Sequence, residues 1–198
     1  MEKQFESRKI RAHTMKLIIL DRDGVLNQDR DDFVKSEDEW IPLPGSMDAV
    51  ALFKQADYTV VIATNQSGIG RRYFSMQDLN EMHEKMHRLA NEAGGSIDGI
   101  WFCPHTDADR CSCRKPKPGM VEDILNRFNT DARGVYLVGD SLRDLQAIDA
   151  VGGLPVLVLT GKGKKTLAAG GLPENTQVFD DLLAFAHHLI QTGDEQEA

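Results

Sequence analysis

Four consecutive apolar residues, Leu17-Ile18-Ile19-Leu20, run directly into two carboxylates one residue apart and then a glycine, Asp21-Arg22-Asp23-Gly24. A run with no polar face suits a strand covered on both sides, the kind found inside a parallel sheet. Open α/β sheets place their ligand crevice at the carboxyl ends of such strands, and Gly24 permits the turn required there. On an extended backbone, positions i and i+2 share a side, so Asp21 and Asp23 are expected to face one small volume. Carboxylates so crowded repel each other unless one is protonated or a cation lies between them. The competing reading is a simple loop opener, since Asp and Gly are common turn residues.

The pattern recurs along the chain. Tyr58 to Ala63 reads as a second buried strand and ends in Thr64-Asn65-Gln66-Ser67-Gly68, whose hydroxyls, amides and backbone N–H groups suit phosphate oxygens. Gly134 to Val138 reads as another and ends in Gly139-Asp140, placing Asp140 to complete an oxygen shell with Asp21 and Asp23 for Mg²⁺. Further strands are expected over Ile97 to Phe102, Leu154 to Leu159 and, at an edge, Gln177-Val178-Phe179. Between them, helices are expected from a Ser46 cap to about Ala56 and from a Ser75–Asp78 capping box to about Ala93. Others run from Pro118-Gly119 to Phe128, from about Asp144, and over Asp181 to Ile190. His83 and His87 lie one helical turn apart without a third ligand and read as surface or half-buried histidines. The acidic stretch Asn27 to Trp40 reads as a loop that flanks the two aspartates as a flap, and Thr160 to Gly170 as a mobile connection.

A formal charge of −8 argues against broad binding to nucleic acid or an anionic membrane, so a phosphate site would need locally concentrated positive charge. Arg71-Arg72 and Arg114-Lys115-Pro116-Lys117-Pro118-Gly119 are the candidates. The prolines stiffen the second segment, and Lys115 there would act as a fixed charge, oriented by Asp144. No apolar stretch reaches membrane-spanning length and no secretory h-region opens the chain, so a cytoplasmic protein is expected. Residues 1–14 read as an extension, 15–190 as one domain, and 191–198 as a frayed acidic tail.

All three cysteines fall within eleven residues together with a histidine: Cys103-Pro104-His105 and Cys111-Ser112-Cys113. Three thiolates and one imidazole make a closed tetrahedral shell suited to structural Zn²⁺. A disulfide with one free thiol is the alternative, disfavoured in a reducing compartment.

Asp21-Arg22-Asp23-Gly24, Thr64-Asn65-Gln66-Ser67-Gly68, Lys115 and Gly139-Asp140 with Asp144, in that order, resemble the haloacid dehalogenase-like phosphatases from about Met15 to Gly161. The Cys-x-His and Cys-x-Cys pairs and Cys-Arg-Lys-Pro-x-Pro-Gly narrow the likeness to a zinc-containing subgroup related to histidinol phosphatases. The resemblance implies a doubly wound, mainly parallel α/β fold without a separate cap domain, a zinc-stapled loop helping to shape the site. It further implies a phosphomonoesterase in which Asp21 becomes an aspartyl phosphate and Asp23 serves as acid and then base. Mg²⁺ would be held by Asp21, Asp23 and Asp140. Thr64, Asn65, Gln66, Ser67, Arg114 and Lys115 would contact substrate, as would Asp29 and Asp32 of the flap. The implied substrate is a heptose 1,7-bisphosphate on the route to nucleotide-activated heptose for lipopolysaccharide, the alternatives being histidinol phosphate or another small sugar phosphate. A zinc-stabilised binding protein without activity is the reading of another class. The enzyme is expected to act as a monomer. Two departures touch the leaving group: the flap reads Asp29-Arg30-Asp31-Asp32-Phe33 where a Gly-Tyr pair is common, and Ser141 stands where a lysine can occur.

Overall fold

The structure of the protein, a computed structural model, describes residues 15–197 and the side chains of residues 15–192. The expected extension over residues 1–14 lies outside the described residues. Strands β1 (Leu17–Leu20), β2 (Thr59–Asn65), β3 (Gly99–Cys103), β4 (Tyr136–Gly139), β5 (Leu154–Val158) and β6 (Gln177–Phe179) form one sheet in the order β3-β2-β1-β4-β5-β6. Every adjacent pair is parallel. β1 pairs with β2 through Ile19↔Val61 and with β4 through Ile19↔Leu137. Strand order therefore reverses between β1 and β4, the switch point outside which doubly wound sheets bind ligands.

All four β1 residues are fully buried, and their alternation divides the core. Ile18 and Leu20 face helices α1 (Ser46–Gln55) and α3 (Met76–Glu92) through Phe53, Leu79 and Met82, together with Phe185 of α7 (Leu182–Glu197). Leu17 and Ile19 face α4 (Gly119–Arg127) and α5 (Leu142–Asp149) through Val121, Ile124 and Ile148. Helices thus cover both faces, as the sequence led us to expect. The Ser75–Asp78 capping box at the start of α3 is formed.

Five local expectations change. Ser46 does not cap α1: Gly45 takes that place, and the buried Ser46 hydroxyl donates to the carbonyls of Leu26 and Leu43. Ser67–Gly70 forms a single helical turn, α2, directly after β2. Part of the 160–170 connection is helical, α6 (Gly163–Ala169). Residues 191–197, expected as a frayed tail, continue α7; propagating a helix adds one hydrogen bond for each residue fixed and needs no new nucleus. His83 is buried, not half-exposed, because the apolar face of α3 carries it onto the sheet beside Phe102. No helix among the described residues is long and apolar enough to cross a membrane.

Candidate active site

A cavity of about 220 Å³ opens at the β1/β4 switch point. Asp21 and Asp23 follow β1, Thr64 to Ser67 come from the end of β2 and from α2, Asp140 follows β4, and the flap supplies Asp29, Arg30, Asp31 and Phe33.

Three buried carboxylates, Asp21, Asp140 and Asp144, each bring an oxygen within 4.8 Å of the others. Lys115, fully buried, answers part of this charge. Its Nζ lies 3.0 Å from Asp21 Oδ1 and 2.6 Å from Asp144 Oδ1, and donates to the Ala63 carbonyl at 2.5 Å. The other Asp144 oxygen accepts from the Ser141 hydroxyl, so Asp144 is spent on holding Lys115 and opening α5. Asp21 Oδ1 also accepts from the Arg22 amide at 2.8 Å. Asp140 Oδ2 accepts from the Lys162 amide at 2.7 Å. Asp21 Oδ2 and Asp140 Oδ1 accept no hydrogen bond among the described residues. Burial pushes Asp21 up to about 6, against the pull of Lys115, and Asp140 up to about 7, reinforced by the neighbouring carboxylates. Two hard oxygen donors, buried together and short of positive charge, fit Mg²⁺.

Asp23 does not join them with its side chain. β1 ends at Leu20, so the alternation rule that would align Asp21 with Asp23 no longer applies. The Asp23 carboxylate turns instead to Arg22, Asn27 and Gln66, whose donors lie at 3.0, 2.9 and 3.0 Å. Burial raises its pKa, but Arg22, Asn27 and Gln66 outweigh that and hold it below the usual carboxylate value. Gly24 is needed for two reasons: its φ is +83°, and a Cβ there would overlap the Asp140 carboxylate.

The substrate residues expected from the sequence divide. Thr64, Gln66, Ser67, Arg114 and Asp29 line the cavity. Asn65 lines it too, but its amide is committed to Lys115: Nδ2 donates to the Lys115 carbonyl at 3.0 Å and Oδ1 accepts from the Lys115 amide at 3.1 Å. Asp32 points away. It pairs with Lys35 at 2.6 Å and Arg30 at 3.1 Å in solvent, and those contacts pull it down to about 2. Arg71, a candidate from the sequence for local positive charge, also lines the wall, as do Arg143 and Lys162, which the sequence did not single out. Arg71 and Arg143 pair with no carboxylate among the described residues, whereas Arg114 meets Asp107 at 2.7 Å and Lys162 meets Asp29 at 2.6 Å. Arg143, two residues after Ser141, places a cation on this wall. Its only signal in sequence is its place in the first turn after Asp140.

The Cys103, His105, Cys111 and Cys113 ligand atoms cluster within 4.8 Å. Sγ–Sγ separations of 3.4 and 3.6 Å and Sγ–Nδ1 separations of 3.5 and 3.6 Å approach the edge of a tetrahedron with ~2.3 Å metal–sulfur bonds. All three thiols are free, and burial pushes Cys103 up to about 12. Such a group of thiols suits a cation that lets them ionise together. The loop leads straight into Arg114-Lys115, and the Lys117 ammonium closes back on the carbonyls of Arg110 and Cys111 at 2.9 and 2.7 Å.

Residues 112–185 match a family model described as "HAD-hyrolase-like". A D-glycero-beta-D-manno-heptose-1,7-bisphosphate 7-phosphatase from Neisseria meningitidis serogroup B is 72% identical over 186 residues, 93% of this chain and 100% of that protein. The crystal structure of D,D-heptose 1,7-bisphosphate phosphatase from B. bronchiseptica, complexed with magnesium and phosphate, matches with a TM-score of 0.89 at 60% identity. That match covers 90% of this chain and 99% of the other. The corresponding Burkholderia thailandensis structure matches with a TM-score of 0.72 at 52% identity, over 88% and 98% of the two chains.

Proposed function

The chain belongs to the D-glycero-beta-D-manno-heptose-1,7-bisphosphate 7-phosphatase family of haloacid dehalogenase-like hydrolases, and from that premise we propose that it removes the 7-phosphate of heptose 1,7-bisphosphate, with Asp21 as nucleophile and Asp23 as acid and base. One observation carries the assignment of roles. Asp21 Oδ1 is held by the Lys115 ammonium at 3.0 Å and the Arg22 amide at 2.8 Å while Oδ2 accepts no hydrogen bond among the described residues, whereas both oxygens of Asp23 are engaged by Arg22, Asn27 and Gln66. A carboxylate with an uncommitted oxygen beside a fixed cation suits attack on phosphorus, which leaves the proton work to Asp23.

Asp21 Oδ2 attacks phosphorus in line while the bond from phosphorus to the sugar oxygen breaks, and Asp23 gives its proton to that departing oxygen. An arriving phosphate dianion adds negative charge beside Asp23 and favours the protonated form this step requires. Asp23, now a carboxylate, takes a proton from a water whose oxygen attacks the same phosphorus. The bond to Asp21 breaks and inorganic phosphate leaves. Throughout, the Lys115 ammonium stays on Oδ1, held there by Asp144, while Asn65 fixes the Lys115 main chain. Mg²⁺, which Asp21 and Asp140 would hold, neutralises phosphoryl charge when bound. Zn²⁺ in the Cys103, His105, Cys111 and Cys113 shell would stiffen the loop that delivers Lys115.

The unpaired cations Arg71 and Arg143 on the wall favour a substrate with a second phosphate over histidinol phosphate, whose far end carries an ammonium. Free cysteines suit the reducing cytoplasm, where a monomeric enzyme would serve the route to nucleotide-activated heptose for lipopolysaccharide. The test is phosphate release over a panel of sugar bisphosphates and histidinol phosphate with Mg²⁺ present. The expected result is the highest kcat/KM on heptose 1,7-bisphosphate; a higher value on histidinol phosphate overturns the substrate assignment. Asp21→Asn should abolish turnover while the melting curve stays cooperative, and retained turnover would exclude a covalent Asp21 intermediate.

A further inference from the structure

Proton delivery requires Asp23 to hold one direction, and the strand no longer supplies it, since the chain has left β1 and turns at Gly24. Three buried side chains supply it instead. Asp23 Oδ1 accepts from Asn27 Nδ2 at 2.9 Å and from Arg22 Nε and Nη2 at 3.3 and 3.0 Å. Oδ2 has one donor of its own, Gln66 Nε2 at 3.0 Å, and shares Arg22 Nη2 at 3.0 Å. The donors also hold one another. Gln66 Oε1 accepts from Arg22 Nη2 at 3.1 Å, and Gln66 Nε2 reaches Thr64 Oγ1 at 2.7 Å. Arg22, Gln66 and Asn27 are 1%, 3% and 0% exposed, and behind the guanidinium lies the Met82 thioether of α3. The phosphoryl-transfer steps leave Arg22 and Gln66 unused.

We infer that Gln66, together with Arg22, is a positioning residue for proton transfer: the two fix the plane of the Asp23 carboxyl group and keep it out of the Asp21–Asp140 cation site. This rests on Asp23 being the acid. A carboxylate free to turn is drawn toward a divalent cation, where it is lost as a proton donor. Gln66, one of a run expected to contact phosphate, thus has a second use that its neighbours Asn65 and Ser67 do not share.

The test compares leaving groups. A sugar oxygen needs a proton to depart, whereas p-nitrophenolate does not, so loss of proton delivery lowers kcat/KM on the sugar bisphosphate and spares p-nitrophenyl phosphate. For both substrates kcat/KM reports the transfer step alone. Gln66→Met and Arg22→Lys should each lose about tenfold to hundredfold on the sugar bisphosphate and under about threefold on p-nitrophenyl phosphate, below the ~10²–10⁴-fold worth of a general acid. Arg22→Lys keeps a buried cation should Gln66→Met fold poorly, and retained p-nitrophenyl phosphate activity shows an intact site. Equal losses on both substrates, or none on either, overturn the inference. Asp23→Asn run alongside separates the premises: if it shows no such selectivity, the acid assignment fails; if it alone is selective, only the positioning role fails.

Discussion

Lys115→Met removes the one ammonium that two buried carboxylates share. Lys115 Nζ touches Asp144 at 2.6 Å, Asp21 at 3.0 Å and the Ala63 carbonyl, with no access to solvent. Removing one partner of a buried ion pair costs about 3–5 kcal/mol, because the remaining charge is stranded. Arg143 also acts on both Asp21 and Asp144, which puts the expectation at the lower end, about 3 kcal/mol. At 2–4 °C per kcal/mol for a chain of this size, Tm should fall by roughly 6–12 °C. The loss depends on pH in a defined direction. Burial works against both charges, yet Lys115 is raised above its ordinary 10.5 and Asp144 lowered below 3.8. The pair therefore stabilises between those values, losing Asp144's share as pH falls below 3.8 and Lys115's as pH rises beyond 10.5. Urea unfolding at pH 7.5 should show the full penalty, and at pH 4.5, where stranded carboxyls take up protons, a smaller one. Lys115→Met/Asp144→Asn should be less damaged than the sum of its parts by about 1–3 kcal/mol and still inactive. A single variant within 1 kcal/mol of the parent, or strictly additive variants, would refute the shared-charge account.

Two further outcomes follow from the same carboxylates and from the thiols. Asp21 and Asp140 are pushed by burial up to about 6 and about 7, so without a cation their ionisation lowers stability as pH rises from the ordinary 3.8 through those values. Mg²⁺ should raise Tm more at pH 8 than at pH 5.5, and an equal shift at both would remove these carboxylates from the cation site. Cys111→Ser should lower bound zinc, measured by metal analysis, along with Tm and kcat, because the loop leading into Arg114-Lys115 loses its closure; an unchanged melt and rate would detach the cysteine cluster from catalysis.

What could be read from the sequence is what neighbours along the chain decide. Apolar runs ending in Asp21, Thr64 and Asp140 announced strand tips, Ser75 and Asp78 announced a helix start, and the four zinc-type ligands lie within eleven residues. Side-chain direction was legible only while the backbone stayed regular. Asp23 lies beyond the end of β1, so its expected alignment with Asp21 fails. Asn65 and Lys115 stand 50 residues apart, and that separation hides the reciprocal hydrogen bonds that consume the amide. Arg71 is only one candidate for local positive charge, and Arg143 and Lys162 carry no signal of their own, until the sheet order brings α2, α5 and the segment after β5 around one cavity. Asp32 failed for the opposite reason: Arg30 and Lys35, two and three residues away, claim it locally.

The pairing of β1 with β4 has a consequence for biosynthesis. Lys115, Asp140 and Asp144 leave the ribosome at least 94 residues after Asp21, counting from 21 to 115. Until then the apolar strand before it can join β2 but has no neighbour on its other edge, and long-range parallel pairing of this kind forms slowly. The half-made chain therefore exposes a sticky ribbon whose acidic tip stands in water, and only the arrival of the distant second half both shields the ribbon and creates the enzyme.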